Sequence, residues 1–456
     1  MKALVQARLL PDGFIVIVNS KNYFVHYPKH IWEAFPDVWR LPFAEFCTFM
    51  ATIHLTFSEK LDITYSFPPP LAAPFFNYGL ILSLPENLLD FDGLKTSDYV
   101  KRVMNSFYRT SFVGNPRPLP TIDFKPHPKT AFLPFTFGKD SLLTYAVCRE
   151  LGIKPIPLFF LEPSNVYENE IKQKLIKEFA KEFDEEVLTF ATPLAGFKQT
   201  RGLWWGWDIF LTQYTLYLIP FLYYFKPAYF FWSNEFNCNE IVSNDEGFLV
   251  NGLFEQSAQW MHILNIGLRL FGITTELGSI LEPLTELSIL WILHSRYSHL
   301  ARYQTSCLND DPLSKTKRWC GRCYECARVY ISLLGLGVDP KNISLETDML
   351  SKRKRKLFYV FEENKNDLHS RFKFTKNEKL FAFYLAYQKG VRGGLMSEFI
   401  SKYLIKTENE KGTSFKEYLS PHPSRTIPED YKQVVYALYK KQLRLFPKSY
   451  IKGSSS

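Results

Sequence analysis

The sequence predicts an α/β protein built around a doubly wound parallel sheet. From residue 132 to residue 298, short apolar runs typical of buried strands alternate with stretches that carry apolar residues at helical spacing. Gly138 follows the first of these runs, and four of the seven cysteines cluster near the end of the alternation. Strands joined by helices imply right-handed crossovers and a sheet that is covered on both faces.

The predicted elements are strands at 132–137, 155–161, 186–190 and 228–232, and helices at 141–151, 169–183, 208–224, 253–271 and 283–298. Pro134 counts against a central ladder position, so the first strand is expected to start only after it. Ligands of such sheets bind at the carboxyl ends of the strands. Polar residues at those ends are therefore candidates for a site.

The chain has 456 residues, which is too long for one typical domain. We expect an N-terminal α+β domain with alternating strands, a linker stiffened by prolines, the α/β domain, and a charged helical region with a basic run at 352–356. The basic run is interpreted as a solvated helix start, with an RNA contact as the alternative. The expected boundaries are 1–115, 116–131, 132–338 and 339–456.

Charge and cysteine content limit the partners and the compartment. Lys and Arg number 55 against 46 Asp and Glu, a mild excess that suits phosphate-bearing substrates but falls short of a nucleic-acid signature, so no nucleic-acid partner is expected. The apolar segment 209–225 is interrupted by Gln213, Thr215 and Pro220, which favours a buried helix and no membrane span. No secretory signal is visible at 1–20, and an odd cysteine count favours the reducing cytoplasm. The oligomeric state cannot be predicted.

The segment 132–151 has the features of a phosphate loop. Gly138 can take a sharp turn that brings backbone N–H groups close to an anion, and Asp140 or Ser141 can cap the helix that follows. A strand, a glycine turn and a helix N-terminus together present free N–H groups and a positive dipole end. The alternative is an ordinary strand-to-helix turn.

A second candidate loop, Ser233-Asn234-Glu235, follows the aromatic strand at 228–232. These polar residues come at the carboxyl end of a predicted strand, where ligands bind. A plain polar loop is the alternative.

The most specific local pattern is a cysteine cluster. Cys320, Cys323 and Cys326 recur at intervals of three, and Cys307 precedes them by twelve intervening residues. Four thiolates on such short gaps can close a tetrahedron around Zn²⁺, and a closed four-sulfur site would be structural. An iron–sulfur cluster, disulfides or four free thiols are the alternatives.

A phosphate loop followed by a four-cysteine cluster resembles the PP-loop ATP pyrophosphatases, also called adenine nucleotide α-hydrolases. The Ser-Cys, spacer, Cys-Gly-x-Cys-x-x-Cys layout at 306–326 resembles QueC-type cyano-deazaguanine synthases. MurL-type epimerases of UDP-N-acetylmuramoyl-L-alanyl-L-glutamate are similar at 138–141, at 233–235, and at 283–287 leading to 318–321. The resemblance covers about residues 130 to 335. One departure is that Thr136 and Phe137 stand where the superfamily loop has Ser and its first Gly.

The resemblance implies an ATP-dependent enzyme that adenylates a substrate carboxylate and releases pyrophosphate, with Mg²⁺ as a further cofactor. The expected function is a MurL-like epimerase; the alternatives are a QueC-like synthase, which forms an amide or nitrile, and a non-catalytic nucleotide-binding relative. By resemblance, the catalytic residues are Lys139, Asp140 and Glu235, although Lys139 could equally face solvent. The nucleotide-binding residues would be Thr136, Phe137, Gly138, Lys139, Asp140, Ser141, Ser233 and Asn234. The general base for epimerisation is not identified, and Glu235, Glu255 and Glu286 are candidates.

Overall fold

The structure is a computed structural model that describes residues 2–58, 60–87, 95–115, 117, 120, 123–162, 165–191, 194, 210–307, 316–361 and 372–447. Within these ranges, no helix combines the length and the apolar character needed to cross a membrane. The predicted helix at 208–224 begins outside them, because residues 208 and 209 are not described.

The N-terminal region forms a mixed sheet with helices. Its elements are β1 (Lys2–Leu10), β2 (Gly13–Val18), β3 (Lys21–His26), α1 (Lys29–Ala34), α2 (Asp37–Thr52), α3 (Leu55–Ser58), β4 (Asp62–Tyr65), α4 (Ala73–Asn87), α5 (Thr96–Tyr108) and β5 (Thr110–Phe112). The strand order is β3-β2-β1-β4-β5. β1, β2 and β3 pair antiparallel, whereas β1 pairs parallel with β4 and β4 pairs parallel with β5.

The second sheet is parallel throughout, which confirms the predicted α/β class. Its region contains β6 (His127–Pro134), α6 (Lys139–Glu150), β7 (Lys154–Leu161), α7 (Val166–Phe183), β8 (Leu188–Ala191), α8 (Phe210–Tyr217), α9 (Ile219–Phe225), β9 (Pro227–Phe231), β10 (Ile241–Ser243), β11 (Leu249–Asn251), α10 (Ala258–Leu270), β12 (Glu276–Gly278), α11 (Glu286–Arg296), α12 (Ser298–Ala301) and α13 (Tyr324–Leu336). The sheet order is β12-β9-β6-β7-β8. β10 and β11 form a separate antiparallel pair.

This strand order places a topological switch point between β6 and β9. From β6 the chain moves outward to β7 and β8, and it then returns to the other side of β6 as β9 and β12. The helices that follow β6 and β9 therefore leave the sheet on opposite sides of a crevice at the carboxyl ends of the strands.

The first strand of this sheet corrects the sequence prediction. β6 ends at Pro134 instead of starting after it, and it begins at His127, inside the predicted linker. The Phe135 N–H donates to the Leu158 carbonyl at 2.8 Å. The residue after the proline thus supplies the next ladder bond, so a proline at the strand end is tolerated.

Two hydrophobic cores lie on the two faces of the parallel sheet. On β6, Phe132 joins a core shared with the N-terminal region, whereas Leu133 joins a core shared with the C-terminal helices. The predicted domain boundaries stay predictions, but both flanking regions pack against the sheet. The C-terminal helices are α14 (Lys373–Gln388), α15 (Leu395–Lys402), α16 (Leu404–Tyr418) and α17 (Glu429–Leu443). The predicted basic run lies in a short 3₁₀ helix, Lys352–Leu357.

Candidate functional site

The loop after β6 leads directly into the N-terminus of α6. Gly138 is the N-cap residue, and among the described residues no side chain caps the helix, so the expected cap by Asp140 or Ser141 is not formed. The Ser141 hydroxyl donates to the Gly138 carbonyl at 3.2 Å, and the Thr136 N–H donates to the Ser141 hydroxyl oxygen at 3.3 Å. The loop is thus fixed by its own hydroxyl groups, and the N–H groups in the first turn of α6 have no side-chain acceptor.

Phe137 has the backbone conformation that a glycine would adopt. Its φ is +60°, in the left-handed region that disfavours residues with a Cβ atom. Its ring is fully buried and lies 4.8 Å from the ring of Phe135 and 5.7 Å from that of Phe179, measured between centroids. Phe137 therefore takes a backbone conformation that glycine adopts easily, and its side chain points into the core.

The loop after β9 meets the loop after β6 through a buried ion pair. The Lys139 ammonium donates to Glu235 Oε2 at 2.8 Å and to Asp140 Oδ1 at 2.7 Å. The side chain of Lys139 is 3% exposed and that of Glu235 is 12% exposed. Lys139 does not face solvent, and the three residues predicted as catalytic form one cluster.

The charges of this cluster depend on one another. Burial raises the pKa of Glu235 to about 7, against a smaller lowering effect of Lys139. Burial disfavours the Lys139 ammonium, but the carboxylates of Asp140 and Glu235 outweigh it and raise the pKa of Lys139 above its usual value. A carboxyl group that titrates near neutral pH is suited to accept or donate a proton.

Two predicted binding residues carry buried polar atoms without a partner among the described residues. These atoms are Ser233 Oγ and Asn234 Nδ2, and Asn234 is only 6% exposed. The Ser279 hydroxyl donates to the Asn234 carbonyl at 2.7 Å, which fixes the loop backbone. These two atoms are therefore available to bond a polar ligand or a water molecule.

The other two candidate bases have structural partners. Glu255 accepts hydrogen bonds from the Leu211 and Thr212 N–H groups at the start of α8, outside the cluster. Glu286 pairs with Arg328 and Lys379. Burial alone would raise the pKa of Glu286, but those two cations hold it at about 2, so its carboxylate is a much weaker base than that of Glu235.

Sequence reasoning missed Lys172, and it considered Ser306 only as part of the cysteine layout and not as a neighbour of the loop. The Lys172 ammonium lies under the loop, where it donates to the Thr136 carbonyl and, at 3.1 Å, to the Thr305 carbonyl. Burial lowers the pKa of Lys172 to about 8. A Cβ atom on Gly138 would lie 3.6 Å from Ser306 Oγ, so that hydroxyl borders the loop.

The burial of Lys172 could have been predicted from the sequence, because Lys172 lies on the same face of α7 as the buried Leu175 and Phe179, at positions i+3 and i+7. The position of Ser306 depends on a contact between distant segments and has no local signal.

The four predicted cysteine ligands form one cluster. The Sγ atoms of Cys307, Cys320, Cys323 and Cys326 all lie within 4.8 Å of one another and could hold a metal ion such as zinc. The closest recorded separations are 3.4, 3.7 and 3.9 Å. A tetrahedron with zinc–sulfur bonds of about 2.3 Å separates its sulfurs by about 3.8 Å, so the donor set fits.

The turn between the cysteines requires Gly321. Its φ is +65°, and a Cβ atom there would lie 2.3 Å from Thr347 Oγ1. The basic run contributes one contact, because the Lys354 ammonium donates to the Gly321 carbonyl at 2.6 Å. One cation of that run therefore supports the cysteine turn.

Comparison of the chain with known protein families, with curated proteins and with solved structures finds no match.

Proposed function

We propose that the crevice between β6 and β9 binds ATP with Mg²⁺ and adenylates a substrate carboxylate. The observation that carries the proposal is the ion pair between Lys139 and Glu235, which joins two polar loops across the switch point of a parallel sheet. Ligands of doubly wound sheets bind at this point. The resemblance to PP-loop ATP pyrophosphatases supplies the nucleotide and the reaction class.

The residues of the loops after β6 and β9 would bind different parts of the ligand. The N–H groups at the start of α6 would hold the β- and γ-phosphates, and the Thr136 and Ser141 hydroxyls border them. Asp140, whose side chain is 31% exposed, would hold Mg²⁺, a hard cation that prefers carboxylate and phosphate oxygens. The bound cation neutralises phosphate charge. Ser233 and Asn234 would use their unpartnered atoms on the nucleotide or on the acyl group.

Glu235 is the residue best suited to move a proton. Its carboxyl group is buried and has a pKa near 7, so both protonation states are accessible at neutral pH. In an epimerase acting on an activated carboxylate, the carboxylate form of Glu235 would take the α-proton. Lys139 would then hold the carboxyl group in place and add positive charge beside the reacting carbonyl.

The substrate could come from either of two classes. The proposed reaction is a MurL-like epimerisation of the glutamate in UDP-N-acetylmuramoyl-L-alanyl-L-glutamate. The layout of the four cysteines favours a QueC-like synthase as the second candidate, in which ammonia captures the acyl-adenylate. In both cases we propose that the cysteines hold structural Zn²⁺, because four sulfur ligands leave no open coordination position.

The test is pyrophosphate release from ATP and Mg²⁺ with each candidate acid. Release only with the UDP-muramoyl dipeptide supports the epimerase, and release only with carboxy-deazaguanine supports the synthase. Glu235→Gln should still release pyrophosphate with the dipeptide, but it should lose exchange of the α-proton with deuterated water. Absence of both nucleotide binding and release would overturn the proposal in favour of a non-catalytic protein.

A further inference from the structure

Two different segments donate hydrogen bonds to the backbone carbonyl groups of the loop after β6. The Lys172 ammonium of α7 binds the Thr136 carbonyl, and the Thr305 N–H donates to the Phe137 carbonyl at 2.8 Å. The same ammonium binds the Thr305 carbonyl at 3.1 Å. Lys172 thus connects the loop to the segment that leads into Cys307.

These two contacts fix the direction of two backbone N–H groups. In a trans peptide the carbonyl and the following N–H point in opposite directions. Because the carbonyls of Thr136 and Phe137 point inward to Lys172 and Thr305, the N–H groups of Phe137 and Gly138 point away from them. The Gly138 N–H makes only a long contact, 3.4 Å, with the Thr136 hydroxyl oxygen.

The backbone of Phe137 completes this arrangement. Phe137 is left-handed, with φ at +60°, and Gly138 after it is extended, with φ at −70° and ψ at 161°. Their two N–H groups therefore add to those at the N-terminus of α6, and together they are the candidate anion site. The Lys172 ammonium adds a positive charge directly behind that site. Its side chain is nearly fully buried, at 2% exposure, and both of its recorded acceptors are neutral carbonyl oxygens.

We propose that Lys172 is a positioning residue that aims the Phe137 and Gly138 N–H groups at a polyphosphate and holds this anion site against the cysteine cluster. The inference rests on the proposed function only for the identity of the nucleotide. The anion site itself can be tested with inorganic tripolyphosphate.

The experiment compares Lys172→Met with Lys177→Met in the full chain. Both substitutions remove one positive charge from α7, but Lys177 is exposed on the opposite face. Affinities for tripolyphosphate and for α,β-methylene-ATP with Mg²⁺ are measured by calorimetry, and hydrogen exchange is followed in the peptide that contains residues 136–141. Zinc content per chain reports whether the Thr305–Cys307 segment keeps its fold.

We expect Lys172→Met to weaken both affinities at least tenfold and to abolish the protection of the 136–141 peptide by tripolyphosphate. Zinc content should stay at the wild-type value, and Lys177→Met should bind like the wild type. Lys172→Arg, which keeps the charge and the donors, should retain binding within about threefold. If the methionine variant does not fold, Lys172→Gln is used instead, because the glutamine side chain is too short to reach the carbonyls of both Thr136 and Thr305.

Wild-type affinity in the variant without Lys172 would overturn the inference and leave the proposed function standing. Binding of tripolyphosphate but not of the ATP analogue by the wild type would overturn the proposed function and leave the inference standing. A wild-type chain that binds neither ligand would overturn both.

Discussion

Phe137 offers a prediction whose sign depends on the backbone conformation. In Phe137→Ala the ring is lost but the left-handed backbone remains, so the free energy of unfolding should fall by about 3–5 kcal/mol, as for other buried phenylalanines. Phe137→Gly loses the same ring and relieves roughly 1–2 kcal/mol of strain. The greater freedom of glycine in the unfolded chain offsets roughly 0.5–1 kcal/mol of that relief.

Glycine should therefore be the more stable replacement at position 137, by up to roughly 1.5 kcal/mol. The measurement is urea unfolding of both variants. The matched control is Phe179, which packs against the ring of Phe137 but lies inside α7. There the alanine variant should have a free energy of unfolding about 1 kcal/mol higher than the glycine variant. If the alanine variant were more stable than the glycine variant at both positions, Phe137 would not have a left-handed backbone.

Phe137→Gly also tests the difference between this loop and the loop of the PP-loop enzymes that it resembles. Because the backbone at Phe137 already has a conformation typical of glycine and its ring points into the core, Phe137→Gly should leave the affinity for the ATP analogue within about threefold of the wild type. A large gain in affinity would mean that the phenylalanine impairs the native loop.

Three further predictions concern the cysteine cluster and Glu235. Cys320→Ser should reduce zinc to substoichiometric levels and lower the melting temperature, whereas Cys148→Ser, at a buried cysteine outside the cluster, should keep the metal; full zinc in both variants would contradict the structural site. Gly321→Ala should also lose zinc, since its Cβ atom would lie 2.3 Å from Thr347 Oγ1, and unchanged metal content would contradict that packing. The pKa of Glu235 is raised from 4.5 to about 7, so between pH 4.5 and 7 the folded state binds a proton that the unfolded chain has lost. The free energy of unfolding should therefore fall as pH rises through this range, and Glu235→Gln should make that fall smaller. An equal slope in the variant would mean that other groups cause the fall.

The class of fold could be predicted because its signal is local. Apolar runs of strand length alternate with amphipathic stretches, and the observed parallel sheet follows that alternation. The bounds of β6 could not be predicted from the chain around Pro134, since His127 pairs with Pro227 of β9 and the Phe135 N–H bonds Leu158 of β7. Tertiary pairing decided those bounds.

The candidate site was predictable in its parts and not in its assembly. The spacing of the cysteines is enough to bring three of them together, since Cys320, Cys323 and Cys326 lie within seven residues. Burial of Lys139 depends on Glu235, which is 96 residues away in the chain. The backbone of Phe137 depends on Thr305, and no local pattern reports either contact.

The most direct test of the account is calorimetric titration of α,β-methylene-ATP with Mg²⁺ into the wild type and Asn234→Leu. Leucine removes a buried N–H donor that has no partner among the described residues, so the ligand-free variant should be at least as stable as the wild type. We predict that the wild type binds the analogue and that the variant binds it at least tenfold more weakly, by about 1.4 kcal/mol or more. Equal affinities would assign Asn234 to the acyl group instead of the nucleotide, and no binding by the wild type would contradict a nucleotide site between β6 and β9.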